Sequence, residues 1–361
     1  MTAHDLREGT LVRLGLSLGY QTAWSTPADH LAMAREADRL GYSVLWAAEA
    51  YGSDTVSMLG WIAGQTERID LGAAVMQIPA RTPAMTAMTA ATLDTLSGGR
   101  FRLGLGVSGP QVSEGWHGVR FAKPLGRTRE YVDVVKLALA REPVSYQGEH
   151  HQLPLPGGAG KALKLGFRPL RSDIPIYLAA VGPKNLELAG EVADGWLGIF
   201  VAPDAAGDQL AQIAAGRARV GKDLSGFDVV ASAPVVIGDD LDACADVVRP
   251  YAALYVGGMG SREQNFYNGI AVRMGYADEA KLVQDLYLSR RPAEAAAAVP
   301  RDFIERTSII GTREHVVRRI REYAEAGVGT LSISPYVGDL KSGLDTLRIV
   351  AEAYAESGVA S

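Results

Sequence analysis

Three glycines in this chain have the spacing of a phosphate-binding turn. The stretch RFRLGLGVSGPQ, residues 100–111, carries Gly104, Gly106 and Gly109 in the order G-x-G-x-x-G. In dinucleotide-binding folds this spacing brings backbone close to a pyrophosphate, between a strand and the helix that directly follows it. A strand is predicted over residues 101–107, but Gly115 and Gly118 argue against a helix directly after it. Because 41 glycines in 361 residues produce such spacings by chance, the motif alone does not predict a dinucleotide-binding domain.

A second glycine turn lies in YLAAVGPKN, residues 177–185. The predicted strand ends in Ala179 and Ala180, and Val181, Gly182 and Pro183 follow it. Proline suits the first position of a helix because it has no N–H to satisfy. The free N–H groups and the dipole of such a helix start favour an anion such as phosphate, and Lys184 would add positive charge. The alternative is a tight strand-to-helix turn that binds nothing.

Other residues that could do chemistry follow predicted strands. Glu49 comes after the second strand, where a carboxylate could orient a bound ligand or transfer a proton; a salt-bridging loop acid is the alternative. Ser108 is not in a G-x-S-x-G frame, which argues against a nucleophile elbow. The six histidines lack H-x-x-x-H and H-E-x-x-H spacings, so we expect no metal site. Lys123, Arg127 and Arg129 could receive an anionic group, but a solvated helix face is the more common arrangement.

Charge and composition exclude several classes of function. A net charge of -5 and an isoelectric point near 5.8 argue against nucleic acid or an anionic membrane as partner. There is no apolar run of about 18 residues and no secretory h-region over Met1 to Thr10. The single cysteine, Cys244, suits a reducing compartment. These features predict a cytoplasmic protein that acts on a small molecule.

The elements that must position these residues alternate between strand and helix. Thr26-Pro27 and Thr82-Pro83 have the residue types that start helices. Eight such alternations favour a (β/α)8 TIM barrel, in which the active site lies at the carboxyl ends of the strands. The predicted strands are Leu11–Gly19, Ser43–Ala47, Ile69–Met76, Phe101–Val107, Ile174–Ala180, Gly195–Phe200, Phe227–Val236 and Thr330–Ser334.

Two long excursions interrupt this alternation, at residues 142–173 and 255–301. Excursions of this length in a barrel usually form lids or interfaces. Within the second, Ala293 to Val299 predicts a short helix. We expect residues 1–361 to form a single domain.

Four stretches together resemble the luciferase-like monooxygenase superfamily, and within it the branch that uses the deazaflavin coenzyme F420. They are GYSVLWAAEAYGSD, IDLGAAVMQIPARTPAMTAMTAATLDTLSGGRFRLGLGVSG, IPIYLAAVGPKNLELAGEVADGWLG and IIGTREHVVRRIREYAEAGV, and the resemblance extends from about Val12 to Tyr354. It implies a (β/α)8 barrel with insertions, a homo-oligomer, and coenzyme F420 as the cofactor, with FMN as the alternative.

The resemblance also implies roles for particular residues. A non-prolyl cis peptide at Ala74-Val75, followed by Met76, would support the deazaflavin ring. Val107, Ser108 and Gly109 would run beside the ring and its ribityl chain, and Ala179 to Pro183 (179–183) would hold the phosphate. One departure concerns Glu49, which is followed by Ala50 where a sugar-phosphate dehydrogenase relative has a histidine base.

Without that base, oxidation of a secondary alcohol is disfavoured. We therefore expect an F420-dependent oxidoreductase that reduces an activated C=C, C=O or C=N bond, with Glu49 as the candidate catalytic residue. An FMN-dependent monooxygenase is the alternative within the superfamily, and a non-catalytic cofactor-binding barrel is the alternative from another class.

Overall fold

The computed structural model describes residues 11–19, 25–262 and 264–360. Its strands run in chain order as follows: β1 Arg13–Gly19, β2 Val44–Ala47, β3 Asp70–Ala73, β4 Met76–Gln77, β5 Phe101–Gly106, β6 Tyr146–Gln147, β7 Gln152–Leu153, β8 Ile176–Ala179, β9 Gly195–Ile199, β10 Asp228–Ile237, β11 Ile309–Gly311 and β12 Thr330–Pro335. Residues 1–10, for which the sequence predicts no secretory h-region, lie outside the described ranges, and so does His4.

Eight of the described strands close into a parallel barrel. Around the ring the order is β1, β2, β3, β5, β8, β9, β10 and β12, and β12 pairs again with β1. β4 extends the line of β3 along β5, while β11 pairs with β10 outside the ring. The predicted (β/α)8 TIM barrel is therefore confirmed.

The helices surround this barrel. They are α1 Pro27–Leu40, α2 Thr55–Ala63, α3 Pro83–Leu96, α4 Pro110–Gly115, α5 Pro124–Leu139, α6 Pro183–Val192, α7 Ala206–Arg219, α8 Leu241–Ala253, α9 Phe266–Arg273, α10 Ala277–Leu288, α11 Pro292–Ala297, α12 Arg301–Thr307, α13 Arg313–Glu325 and α14 Leu340–Ser357. Every helix in the described ranges is too short or too polar to cross a lipid bilayer.

Helix starts follow the predicted chemistry. The Thr26 side chain accepts from the Asp29 amide, Asp29 in turn caps the Thr26 backbone, and Pro27 occupies the first helical position. Gly41 ends α1 at a φ of 83°, a left-handed conformation that glycine adopts without strain. Thr82 caps α3 in the same way by accepting from the Met85 amide.

One prediction about the glycine motif was wrong, because a helix does follow it directly. α4 begins directly after Gly109, because Pro110 can start a helix and Gly115 ends it after only six residues. The second excursion is mostly helical: α8 precedes it, α9 to α11 lie within it and α12 begins at its last residue. These helices pack around a second hydrophobic core that includes Phe200, Val283 and Phe303. The predicted short helix at Ala293 to Val299 is confirmed as α11. Residues 142–173 contain one short hairpin of β6 and β7.

Paired charged side chains close the amino-terminal end of the barrel. Arg102 contacts Asp70 at 2.6 Å, and Asp228 accepts from Arg13 at 2.8 Å and from the Tyr177 hydroxyl at 3.0 Å. With this end occupied by side chains, the open end is the one where the strands finish, as in other TIM barrels.

Candidate active site

A cavity of about 1440 Å³ opens at the carboxyl ends of the barrel strands. Eleven of the twelve residues predicted for the site line it: Glu49, Ala74, Val75, Val107, Ser108, Gly109, Ala179, Ala180, Val181, Gly182 and Pro183. Met76 is the exception, because its side chain is fully buried in the hydrophobic core. Sequence analysis placed Met76 at the end of a strand. It could not predict whether the Met76 side chain faces the cavity or the hydrophobic core.

The strand predicted over Ile69–Met76 is interrupted by a bulge. The Ala74-Val75 peptide is cis, as the family resemblance implied, and it separates β3 from β4. The glycines of β5 give it room: a Cβ on Gly104 would lie 1.8 Å from the Ala73 carbonyl oxygen, and one on Gly106 would lie 2.6 Å from Val75 Cγ2. The G-x-G spacing in β5 thus serves close packing of the bulge at the edge of the cavity.

Glu49 is held by a guanidinium. Its two carboxylate oxygens accept from Nη1 and Nη2 of Arg81, and Arg81 also contacts Asp54 at 2.8 Å. Burial alone would lower the pKa of Arg81, but Glu49 and Asp54 raise it above its usual value. Sequence analysis missed Arg81, although it follows the bulge closely in QIPAR.

The same carboxylate also accepts from backbone. The amide of Gln77, directly after the bulge, donates to Glu49 at 3.0 Å, and the Thr55 amide approaches it at 3.4 Å. With donors on both oxygens, this carboxylate is better placed to position the bulge than to transfer protons. The contacts favour the salt-bridging alternative for Glu49.

The loop after β5 is strained at the cavity wall. Ser108 has a φ of 60°, in the left-handed region that non-glycine residues rarely adopt. Strain of this kind concentrates at ligand-binding sites, where the surroundings enforce it. Gly109 then starts α4 without a side-chain cap.

The start of α6 offers a site for an anion. Gly182 is the residue before the helix, and α6 has no side-chain cap. Lys184 lines the cavity, and Arg273 of α9 donates from Nη2 to the Val181 carbonyl at 3.2 Å. Neither cation forms an ion pair with a carboxylate in the described part of the chain. A helix start and Lys184 therefore lie at one end of the cavity, with Arg273 behind the Val181 carbonyl.

The opposite wall carries hydroxyls and tyrosine rings that sequence analysis missed. Ser17 of β1, Ser232 of β10 and Ser332 of β12 line the barrel mouth beside the indole of Trp46. Above them stands a tyrosine cluster, which comprises Tyr251, Tyr255, Tyr267 and Tyr336, with neighbouring ring centroids 4.8 to 5.5 Å apart. Three of these tyrosines come from α8, from the π-helical segment Leu254–Gly258 that continues it, and from α9, so the elements around the second excursion supply the roof.

The remaining candidates have ordinary structural roles. Lys123 pairs with Glu149, and Arg129 pairs with Glu191, as expected for a solvated helix face. Cys244 is buried, which raises the pKa of its thiol. His30 lines the cavity near the Ser25 hydroxyl, and burial lowers the pKa of its imidazole. No cluster of three or more metal-ligating side chains occurs among the described residues.

Comparison with known proteins identifies relatives along most of the chain. The model of the luciferase-like monooxygenase family matches residues 9–330. A protein of Mycobacterium tuberculosis named "Putative coenzyme F420-dependent oxidoreductase Rv3520c" is 46% identical over 330 residues, which cover 90% of this chain and 95% of the relative. The 5,10-methylenetetrahydromethanopterin reductase of Archaeoglobus fulgidus is 33% identical over 298 residues, 81% of this chain and 85% of that enzyme.

Solved structures show the same architecture. The coenzyme F420-dependent tetrahydromethanopterin reductase of Methanopyrus kandleri superposes with a TM-score of 0.80 at 25% identity, over 95% of this chain and 98% of that one. An F420-dependent secondary alcohol dehydrogenase, at 20% identity and a TM-score of 0.77, shares the fold. The chain therefore belongs to the luciferase-like monooxygenase family, in the branch that contains the F420-dependent oxidoreductases.

Proposed function

We propose that the protein binds coenzyme F420 and uses it to reduce an activated C=C, C=O or C=N bond of a small organic substrate. The observation that carries the proposal is the bulge at Ala74-Val75, which faces a large cavity in a chain whose relatives are named for F420.

The residues that line the cavity fit the parts of this cofactor. The bulge at Ala74-Val75 and the strained loop 107–109 would flank the deazaflavin ring. The turn 179–183 would hold the phosphate, because the start of α6 is uncapped and Lys184 and Arg273 lie near it without an acidic partner among the described residues. This arrangement suits a planar ring with an anionic tail.

The cofactor, when bound, supplies or accepts a hydride, and the protein supplies its orientation and surroundings. The contact between Glu49 and the Gln77 amide fixes the backbone next to the bulge. The tyrosine cluster lines the cavity and would shield a bound ring from water on that side.

We infer the direction of the reaction from the two residues that follow the second strand, Glu49 and Ala50. Ala50 has no base, and Glu49 is held by Arg81, so neither can take a proton from an alcohol substrate. Reduction does not require a protein base at that position, because water or a polar residue of the roof can supply the proton.

The test is anaerobic mixing of the protein and reduced F420 with a panel of enones, ketones and imines, followed by the absorbance of reoxidised F420. Stoichiometric reoxidation with one substrate class supports the proposal. Oxygen uptake with reduced FMN, and a product that contains new oxygen, would instead identify an FMN-dependent monooxygenase. Binding of F420 with no turnover across the panel would favour the non-catalytic barrel.

We also propose that the protein is a homo-oligomer. Trp61 of α2 and Met85, Met88 and Leu96 of α3 are exposed large apolar residues, and the last three share one face of the helix. A second copy of the chain is the partner we propose for this face, since adjacent exposed apolar side chains commonly mark an interface.

A further inference from the structure

The cavity has a cofactor side and a roof side. The residues proposed to hold the cofactor follow β3, β5 and β8, which are neighbours in the ring. The tyrosine cluster lies elsewhere, on α8, on the π-helical segment Leu254–Gly258, on α9 and after β12. The proposed function gives this roof side no role beyond shielding a bound ring. Its side chains are therefore the ones left to select a substrate.

Three apolar side chains on the roof side both line the cavity and are exposed to solvent. They are Val247 of α8, Phe266 of α9 and Val337 after β12, and we call them the apolar rim. Their exposed fractions are 47%, 42% and 42%. Since they border the cavity and solvent at once, they lie at its mouth.

The apolar rim is continuous with the tyrosine cluster. Val247 precedes Tyr251 by one turn of α8, so the two side chains lie on the same face of the helix. Each of the other two rim residues is the sequence neighbour of a cluster tyrosine. Inside the cluster, the ring of Tyr251 lies 5.5 Å from that of Tyr336 and 4.8 Å from that of Tyr255. Aromatic and apolar side chains therefore extend from the cavity to its rim, and exposed apolar patches commonly mark a ligand-binding surface.

The backbone of the roof is fixed by side-chain amides. The Nδ2 of Asn265 donates to the carbonyls of Tyr255 and Val256 at 3.0 and 2.9 Å, and the Nδ2 of Asn268 donates to the Val256 carbonyl at 3.1 Å. These carbonyls belong to the π-helical segment Leu254–Gly258, and such segments are rare and frequent at functional sites. The roof is therefore preformed, as the walls of ligand cavities usually are.

The charges of the lining disfavour an anion on the roof side. The charged residues of the described lining are Asp29, Glu49, Lys184 and Asp339. The single cation among them lies at the start of α6, on the cofactor side. Hydrogen bonds from the Thr26 and Ser342 backbones hold the pKa of the Asp29 and Asp339 carboxyls below their usual range. These two carboxyls are therefore negative at neutral pH, and one follows the rim residue Val337 by two positions.

The size of the cavity leaves room for more than the cofactor. Its volume of about 1440 Å³ exceeds the roughly 300–1,000 Å³ of most small-molecule sites. We propose that the substrate is an uncharged molecule with a long hydrocarbon chain, which runs beneath the tyrosine cluster and leaves the cavity over the apolar rim. The inference rests on the proposed function, because bound F420 is expected to fill the side of β3, β5 and β8.

The experiment measures affinity as a function of chain length by calorimetry. The probes are pentan-2-one, octan-2-one and undecan-2-one, together with 10-oxoundecanoate, which carries a carboxylate at the far end of the longest chain. Each is titrated against the protein with and without oxidised F420, so that no hydride is transferred. F420 itself is titrated separately by its fluorescence.

We expect affinity to rise about threefold to fourfold with each added methylene, as for transfer of a chain from water to an apolar surface. Undecan-2-one should then bind at least about a hundredfold more tightly than pentan-2-one. The carboxylate probe should bind about tenfold more weakly than undecan-2-one, or worse, because its charge meets no cation on the roof side.

Two variants, Phe266→Ser and Val337→Ser, test the route over the rim. Each should weaken binding of undecan-2-one roughly fivefold and leave pentan-2-one within about twofold, because only the long chain reaches the rim. Val272→Ser is the matched control, since Val272 is also on α9 and is 44% exposed but does not line the cavity. The control should bind every probe like wild type, and all three variants should keep the F420 affinity of wild type.

The inference is overturned if affinity does not rise with chain length, or if 10-oxoundecanoate binds as tightly as undecan-2-one. It is also overturned if both rim variants bind undecan-2-one like wild type, or if the Val272→Ser control loses as much affinity as they do. Failure of F420 to bind, with the dependence on chain length intact in the protein without cofactor, would contradict the proposed function alone.

Discussion

The carboxylate of Glu49 and the guanidinium of Arg81 form a two-point ion pair at the rim of the barrel. Glu49 follows the end of β2, and Arg81 follows the bulge and β4. Side-chain exposure is 8% for Glu49 and 17% for Arg81, so the pair is largely withdrawn from water. Because Glu49 also accepts from the Gln77 amide, the pair connects β2 to the backbone that carries the Ala74-Val75 peptide.

We predict that Arg81→Ala lowers the free energy of unfolding by about 3 kcal/mol, because it leaves the Glu49 carboxylate buried without its cation. F420 affinity should also fall, since the bulge loses its support. Urea denaturation and fluorescence titration measure the two effects. In Glu49→Gln the neutral amide can still accept from Gln77, so both losses should be smaller; equal or larger losses would contradict a positioning role for the ion pair.

Gly106 tests the packing of the bulge. A Cβ at this position would press on Val75 Cγ2, so Gly106→Ala should cost about 1–3 kcal/mol of stability and weaken F420 binding. The matched variant is Gly115→Ala, where a Cβ meets nothing within 4 Å at the end of α4. Urea denaturation of both variants measures the two stabilities. If the two variants are equally stable, close packing of Gly106 against Val75 does not contribute to stability.

Lys184 tests the site for the anionic tail. We expect Lys184→Ala to weaken F420 binding by about two- to fivefold, as for one exposed charge pair, and to reduce its dependence on salt. The same deazaflavin without the phosphate tail should bind wild type and variant alike. Lys222→Ala, which removes an exposed lysine from the turn after α7, is the control. An unchanged F420 affinity in Lys184→Ala would place the phosphate elsewhere.

Met88 tests the proposed oligomer. It is 49% exposed in the middle of the apolar face of α3, so Met88→Lys should put a charge into the interface between two copies. Sedimentation velocity should show a smaller species for this variant than for wild type. A charge on the exposed surface of α13, as in Arg318→Glu, should leave the sedimentation coefficient unchanged. A monomeric wild type would rule out this assembly.

Several features of the fold and site were predictable because they are local in sequence. Thr26-Pro27 and Thr82-Pro83 predicted the starts of α1 and α3, and the alternation of apolar runs and helical patterns predicted the barrel. The cis peptide at Ala74-Val75 came from the family resemblance. That residues 1–361 form one domain stays a prediction.

Features that depend on distant residues were not predictable. The Arg81 contact with Glu49 joins positions 32 residues apart. The direction of Met76 depends on where β4 resumes after the bulge, and the roof depends on how α8 and α9 pack over the barrel.

The most direct test of the central claim is a side-by-side titration of the purified protein with F420 and with FMN, read by the fluorescence of each. The account predicts saturable binding of F420 and binding of FMN at least tenfold weaker. Tight binding of FMN without binding of F420 would contradict it.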